Sequence, residues 1–229
     1  MAPRYALYAA PAPDSPLWRF GSSVIGYDAA TATETAFPAA SPCDAGDWMA
    51  LTEEPRRYGF HGTLKAPFAL AHGEDEAGLI EAVMLFAERR HAFSVPRLEV
   101  SLLKAFVALT PSERSAELEG LAADCVRHFD AFRAPLSEAD MARRLKAPLT
   151  ERQKAHLDAF GYPYVFEDFR FHMTLTGALP EDRRETIRDG LASLYAPVAA
   201  PLAVDALCLF KQADRAGRFT ILARFPFEG

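Results

Sequence analysis

The sequence predicts mixed helices and strands arranged as two similar lobes around a shared cleft. One observation is a repeated word. His61-Gly62-Thr63-Leu64 returns as His172-Met173-Thr174-Leu175, each after a phenylalanine, Phe60 or Phe171. The other is a repeated order. After each tetrad the apolar pattern reads helix, then strand, then strand, with Leu102-Leu103-Lys104 matched by Leu209-Phe210-Lys211. A duplicated unit implies two similar lobes, and lobes that face one another let the tetrads meet.

In chain order, Tyr5 to Ala9 reads as a short strand, stopped by the proline-rich run Pro11 to Pro16. Leu17 to Tyr27 suits a short helix. Thr31 to Asp47 is rich in Ala, Thr and Pro and is expected to be loop or short turns. Arg56 to Phe68 has strand character and holds the first tetrad. Glu74 to Arg90 places Ala77, Ile80, Val83, Met84 and Ala87 at helical spacing. Leu98 to Leu103 and Ala105 to Leu109 read as adjacent strands. A helix is expected from Pro111 to about Phe132. Ser137 to Leu145 and Thr150 to Phe160 are charged, helix-prone segments on either side of Pro148. Phe169 to Thr176 is the second tetrad strand, and Pro180 to Tyr195 a helix with proline at its start. Leu202 to Phe210 and Phe219 to Phe225 close the chain as paired strands. The stretch 135–160 lies outside the repeat, as an inserted helical cap or a connection between lobes. The whole of 1–229 is expected to be a single bilobal domain.

Composition narrows the function. Half of the 229 residues are apolar, enough for a sizeable core. A net charge of −6 argues against a general polyanion-binding surface but leaves room for local cations around one phosphate. Cys43, Cys125 and Cys208 are isolated and odd in number, which favours a reducing compartment over a disulfide framework. No pair has metal-ligand spacing, and neither a signal-peptide core nor a membrane-spanning run is present. A cytoplasmic protein without metal or cofactor is the resulting expectation.

Strand alternation places Arg57, Gly59, His61, Thr63 and Lys65 on one face, with Tyr58, Phe60, Gly62 and Leu64 on the other. In the second strand Arg170, His172, Thr174 and Thr176 share a face; Phe169, Phe171, Met173 and Leu175 look like core. Two imidazoles can act as acid and base at neutral pH, and two hydroxyls and several cations can hold an anion. A phosphodiester uses the whole set. His61, His172, Thr63 and Thr174 are therefore the expected catalytic residues, and Lys65, Arg170 and Arg57 the expected substrate contacts. Tyr58 is expected to pack and Tyr162 and Tyr164 to clasp the core, while Arg57, and Arg56 with it, could equally sit in an exposed loop. His72, His91, His128 and His156 read as surface residues. Which histidine is base and which acid stays open.

These tetrads resemble those of the 2H phosphoesterase superfamily. Arg57-Tyr58-Gly59-Phe60-His61-Gly62-Thr63-Leu64-Lys65-Ala66-Pro67-Phe68, Phe169 to Gly177 and the opening Arg4 to Tyr8 look closest to an uncharacterised branch associated with phosphonate-utilisation gene clusters. The resemblance implies a bilobal α+β fold, with two pseudo-symmetric antiparallel-sheet lobes, helices outside and a central cleft. It also implies metal-independent chemistry on a phosphodiester or cyclic phosphate. Gly62 falls on a motif position that tolerates variation. A small phosphorylated substrate is the expected partner, with nucleic acid less favoured and no membrane. RNA ends or 2′,3′-cyclic nucleotides are the alternative substrates. Non-catalytic binding of a phosphorylated ligand is the alternative role.

Overall fold

The computed structural model describes residues 2–229. Strand β1 (Arg4–Ala9) and helix α1 (Pro16–Ile25) open the chain, followed by the small hairpin β2 (Tyr27–Asp28) and β3 (Thr33–Glu34). Helices α2 (Ala45–Leu51) and α3 (Glu53–Arg56) lead to β4 (Gly62–Phe68). Next come α4 (Glu76–Ala87), β5 (Phe93–Val95), the hairpin β6 (Leu98–Leu103) and β7 (Phe106–Pro111), and α5 (Ala116–His128). Helices α6 (Glu138–Arg144) and α7 (Glu151–Phe160) precede β8 (Met173–Thr174). Then α8 (Arg184–Tyr195), β9 (Leu202–Val204), β10 (Ala206–Gln212) and β11 (Thr220–Pro226) complete the chain.

Local chemistry sets these boundaries. Ser15 accepts from the Trp18 amide with Pro16 in the first turn, and Gly26 ends α1 in the left-handed region. Asp75 caps α4 and a Thr150–Gln153 capping box starts α7. The expected helix from Pro111 begins later because Ser115 is its cap, and it ends at His128. The stretch expected to be irregular, Thr31 to Asp47, contains strand β3 and the start of α2.

The fold is α+β, and its antiparallel sheet runs in the order β11-β10-β1-β4-β8-β7-β6. The two similar halves are β11-β10-β1-β4 and β8-β7-β6, fused edge to edge through β4 and β8. The sequence repeats are exchanged between them. The hairpin that follows His61, β6–β7, pairs with the His172 strand. The hairpin that follows His172, β10–β11, reaches the His61 strand through β1. β9 leaves the expected closing pair and joins β5 instead.

The second tetrad strand is shorter than expected, two residues rather than eight. Beyond Thr174 the amides of Leu175 and Thr176 both turn to the Val107 carbonyl, and the Thr176 hydroxyl accepts from the Val107 amide. A side chain thus takes the donor that would have continued the ladder.

Alternation nevertheless holds where it matters. Phe60 and Leu64, and Phe171, Met173 and Leu175, all point into the core, at 8% exposure or less. The halves meet at one cross-strand pair, Gly62 with Met173. A Cβ on Gly62 would lie 2.3 Å from the Phe171 ring, so this position does not tolerate a side chain. That corrects the expectation drawn from the motif. Gly62→Val should therefore destabilise the protein by about 1–3 kcal/mol, the usual cost of forcing volume into a packed core. Urea denaturation measures it, and an unchanged midpoint would contradict the packing of Phe171 across Gly62.

Candidate active site

The Gly62–Met173 pair does more than join the halves. Carrying its antiparallel register one residue either way sets His61 opposite Thr174 and Thr63 opposite His172. Side chains at these positions lie on the face opposite to the buried Phe60, Leu64, Phe171 and Leu175. The two histidines are then diagonal neighbours, whose Cβ atoms are typically about 7–8 Å apart. All four residues line one cleft of about 500 Å³.

The two rings are held in matching ways. His61 Nδ1–H donates to the Gly59 carbonyl at 2.8 Å, and His172 Nδ1–H donates to the Arg170 carbonyl at 2.8 Å. A carbonyl only accepts, so each contact fixes the proton on Nδ1 and leaves Nε2 as the working nitrogen. Gly59 supplies its carbonyl from a left-handed backbone, φ +78°, where a Cβ would also meet Ala29 at 2.6 Å.

Their surroundings differ. The His61 ring stacks on Tyr8, centroids 3.6 Å apart, and its Nε2 accepts from the Thr63 hydroxyl at 3.2 Å. Burial lowers the His61 pKa to about 4, with the nearby His172 pushing the same way and the Gly59 carbonyl opposing. His61 is therefore neutral at pH 7. His172 has Phe106 beside it, at 5.7 Å between centroids, and borders a second, more apolar recess of about 220 Å³ walled by Tyr164, Phe166 and Phe169.

The expected cations are placed elsewhere. Leu7 pairs with Lys65 while Tyr8 pairs with Thr63, so β4 carries a bulge between Thr63 and Lys65. The bulge rotates Lys65 off the histidine face. Its ammonium is buried against α5, on the Val126 carbonyl at 3.1 Å and Asp130 at 3.2 Å. Ala66 and Pro67 line the cleft in its place. Arg170 is exposed and donates to the carbonyls of Glu167 and Phe169, beside the smaller recess. Arg57 is exposed and bonded to the Arg215 carbonyl. None of the three lines the main cleft.

The cleft's cations are Arg4, Arg143 and Arg144. Arg4 comes from β1, and Arg143 and Arg144 end α6, in the segment outside the repeat. Tyr58 and Tyr162 also line the cleft rather than only packing. Arg56 is buried, its guanidinium on the Ile25 and Met49 carbonyls and the Thr52 hydroxyl, not in an exposed loop. His72, His91 and His128 are exposed as expected, while His156 is partly buried beside Asp168. The Arg143-Arg144 pair was visible in the sequence, but nothing local connected it to the tetrads. Among the described residues, no group of three or more His, Cys, Asp or Glu side chains is placed to hold a metal ion. None of their helices is long and apolar enough to cross a membrane.

The depressed His61 pKa makes two measurable statements. In a histidine-detected NMR titration, His61 should stay neutral until the pH approaches 4. Protonation of the unfolded chain below its ordinary value near 6.5 then draws the equilibrium toward unfolding, so the stability His61 contributes is present above about pH 6.5 and is lost as pH falls toward 4. A His61 midpoint near 6.5 in the folded protein would contradict the burial.

Comparison with known proteins adds the following. A family model described as a protein of unknown function (DUF1045) matches residues 63–220. A protein named ribose 1,5-bisphosphate phosphokinase PhnN from Janthinobacterium sp. (strain Marseille) is 39% identical over 231 residues, covering 99% of this chain and 51% of that protein. Its namesake from Laribacter hongkongensis (strain HLHK9) is 34% identical over 225 residues, covering 95% and 50%. The chain thus spans about half the length of these curated relatives. Among solved structures, E. coli LigT complexed with 3′-AMP is similar at a TM-score of 0.46 with 15% identity, covering all of both chains. TT0787 of Thermus thermophilus is similar at 0.45 with 14% identity, covering 100% of this chain and 99% of the other. With the match over residues 63–220 taking in both threonines and His172, the chain belongs to the DUF1045 family of proteins of unknown function.

Proposed function

We propose that this protein is a metal-independent phosphodiesterase acting on a cyclic phosphate or another small phosphodiester. The observation that carries this reading is the matched histidine pair. Each ring is pinned through Nδ1 to the carbonyl two residues before it, each offers Nε2 to the same cleft, and each lies opposite the other motif's threonine.

The roles follow from the surroundings. His61 is neutral in the free protein, so its Nε2 accepts the proton of the attacking water or hydroxyl. The new oxygen–phosphorus bond forms as the leaving oxygen departs, and His172, which must enter this step as the imidazolium because its Nδ1 proton is held by the Arg170 carbonyl, gives that oxygen the proton on Nε2. Thr63 and Thr174 donate to the non-bridging oxygens. For this Thr63 must turn from His61 Nε2, which frees the lone pair as substrate enters. A bound phosphate anion also raises the proton affinity of His61, offsetting the weak basicity that burial imposes. With water as nucleophile the products are a phosphomonoester and an alcohol, or one molecule carrying both when the substrate is cyclic; with an internal hydroxyl they are a cyclic phosphodiester and the released alcohol.

The names of the curated relatives suggest a kinase as a second reading, with a ribose phosphate as substrate. This chain holds no G-x-x-x-x-G-K-[ST] phosphate loop; the two glycine pairs with that spacing, Gly21 with Gly26 and Gly73 with Gly78, are followed by Tyr27 and Leu79. Those relatives are twice as long, and their name supports sugar phosphates as the substrate class here more than it supports phosphoryl transfer by this half. The resemblance to proteins of phosphonate-utilisation clusters points to the same small-molecule chemistry.

Activity against a panel of cyclic and linear phosphodiesters should persist in EDTA. His61→Ala or His172→Ala should each lower the rate about 10²–10⁴-fold, while Thr63→Ala or Thr174→Ala should cost less. The acid limb of kcat/KM should fall near the His61 value of about 4 rather than near 6.5. Full turnover by a folded His61→Ala/His172→Ala protein would move the chemistry to another site. Tight binding of cyclic phosphates without turnover would make the protein a binding module.

A further inference from the structure

The cleft holds a concentration of positive charge that the proton transfers do not use. Arg4 from β1 and Arg143 and Arg144 from α6 line the cleft, and Arg215 adjoins them. Asp140 is the carboxylate they share: it takes both Arg215, at 2.9 Å, and Arg143, at 2.7 Å. Arg4 and Arg144 have no carboxylate partner among the described residues. Glu54, the acidic residue lining the cleft, sits instead beside Gly177.

Both unpaired guanidiniums are withdrawn from solvent. Arg4 is 7% exposed, with Nε on Gln212 Oε1 at 2.8 Å and its plane 5.3 Å from the Phe219 ring. Arg144 lies over Tyr162 at 5.0 Å, and its Nε is buried with no hydrogen-bond partner. A guanidinium keeps its proton in proteins, so burial next to other cations leaves a standing electrostatic cost that an anion would remove. The pKa of each is lowered, first by desolvation and then by neighbouring groups that include other arginines. Arg143, by contrast, is exposed and paired with Asp140.

Its position relative to the histidines is set by rings. Tyr8 stacks on His61 and approaches Phe219 at 6.4 Å, and Phe219 stacks on Tyr58 at 5.4 Å. Arg4 stands four residues before Tyr8 on β1, roughly 13 Å along the strand, with its guanidinium over Phe219. The histidines and the arginines line one cleft of about 500 Å³, so a molecule with its phosphodiester between His61 and His172 has a second, cationic wall within the same cavity.

We propose that Arg4 and Arg144 form a second anion subsite, and that the substrate carries a phosphomonoester in addition to the phosphodiester that is cleaved. This rests on the phosphodiesterase reading and narrows it to phosphorylated cyclic phosphates or phosphorylated small diesters. Arginine suits the task because its planar fork binds phosphate oxygens in pairs.

The test compares a 2′,3′-cyclic ribonucleoside phosphate with the same compound bearing a 5′-phosphate. Wild-type kcat/KM should favour the doubly phosphorylated compound by about tenfold or more, a single charge-assisted contact being worth that much. In Arg144→Gln, with its fold checked by circular dichroism, the preference should collapse toward one; Arg144→Lys should retain part of it. Equal kcat/KM for the two compounds, or an unaltered preference in Arg144→Gln, overturns the subsite and leaves the phosphodiesterase standing. If neither compound is turned over, the phosphodiesterase reading fails and binding decides the subsite. Inorganic phosphate titrated calorimetrically into His61→Ala/His172→Ala should still bind, and adding Arg144→Gln should weaken it at least tenfold. No binding, or binding indifferent to Arg144, overturns the subsite in that case as well.

Discussion

A single cross-strand pair, Gly62 with Met173, holds this molecule's chemistry in place. Neither residue has a reactive group. Gly62 is bare because the Phe171 ring occupies the space its side chain would need, and Met173 is fully buried. With those two positions fixed against the core, strand alternation leaves His61, Thr63, His172 and Thr174 no choice of face. The antiparallel register then crosses the motifs, each histidine opposite the other's threonine. A one-residue slip of either strand would carry its imidazole into the core, so the packing beneath the sheet and the geometry above it are one constraint.

Exchange of the two hairpins makes that seam robust. Each half of the sheet contains one motif strand and the hairpin that follows the other motif in sequence. Neither repeat forms its half alone, and the chain crosses between halves after each motif. Symmetry of the backbone does not extend to the environment. His61 lies against Tyr8 with a depressed pKa, whereas His172 sits at the mouth of a recess lined by Tyr164, Phe166 and Phe169. Equivalent residues thereby sit in different electrostatic surroundings.

What was legible in the sequence is what depends on near neighbours. The tetrads, the apolar positions Phe60, Leu64, Phe171 and Leu175, the β6–β7 hairpin and the helices after each motif follow from local periodicity and capping. What was not legible depends on partners far along the chain. The bulge that turns Lys65 toward Asp130 arises from its pairing with β1, about sixty residues away. Arg4 reaches the cavity from the first strand and Arg143 and Arg144 from the middle of the chain, and nothing within three or four residues of any of them marks the meeting. The exchanged hairpins have no local signature either, since a strand's own sequence does not name its neighbour. Tyr58, assigned to packing by strict alternation, lines the cleft because β4 begins only at Gly62 and the residues before Gly59 follow a turn rather than a strand.

The central claim is that the histidine pair moves a proton onto a leaving oxygen while water, or an internal hydroxyl, attacks phosphorus. Hydrolysis of cyclic phosphodiesters by chelator-treated protein in oxygen-18 water, followed by phosphorus NMR, tests it most directly. The account predicts one labelled oxygen bonded to phosphorus in each product molecule from the wild-type protein and none from folded His61→Ala/His172→Ala. Label incorporation by the double variant at the wild-type rate, or none by the wild type with any cyclic diester, would contradict it.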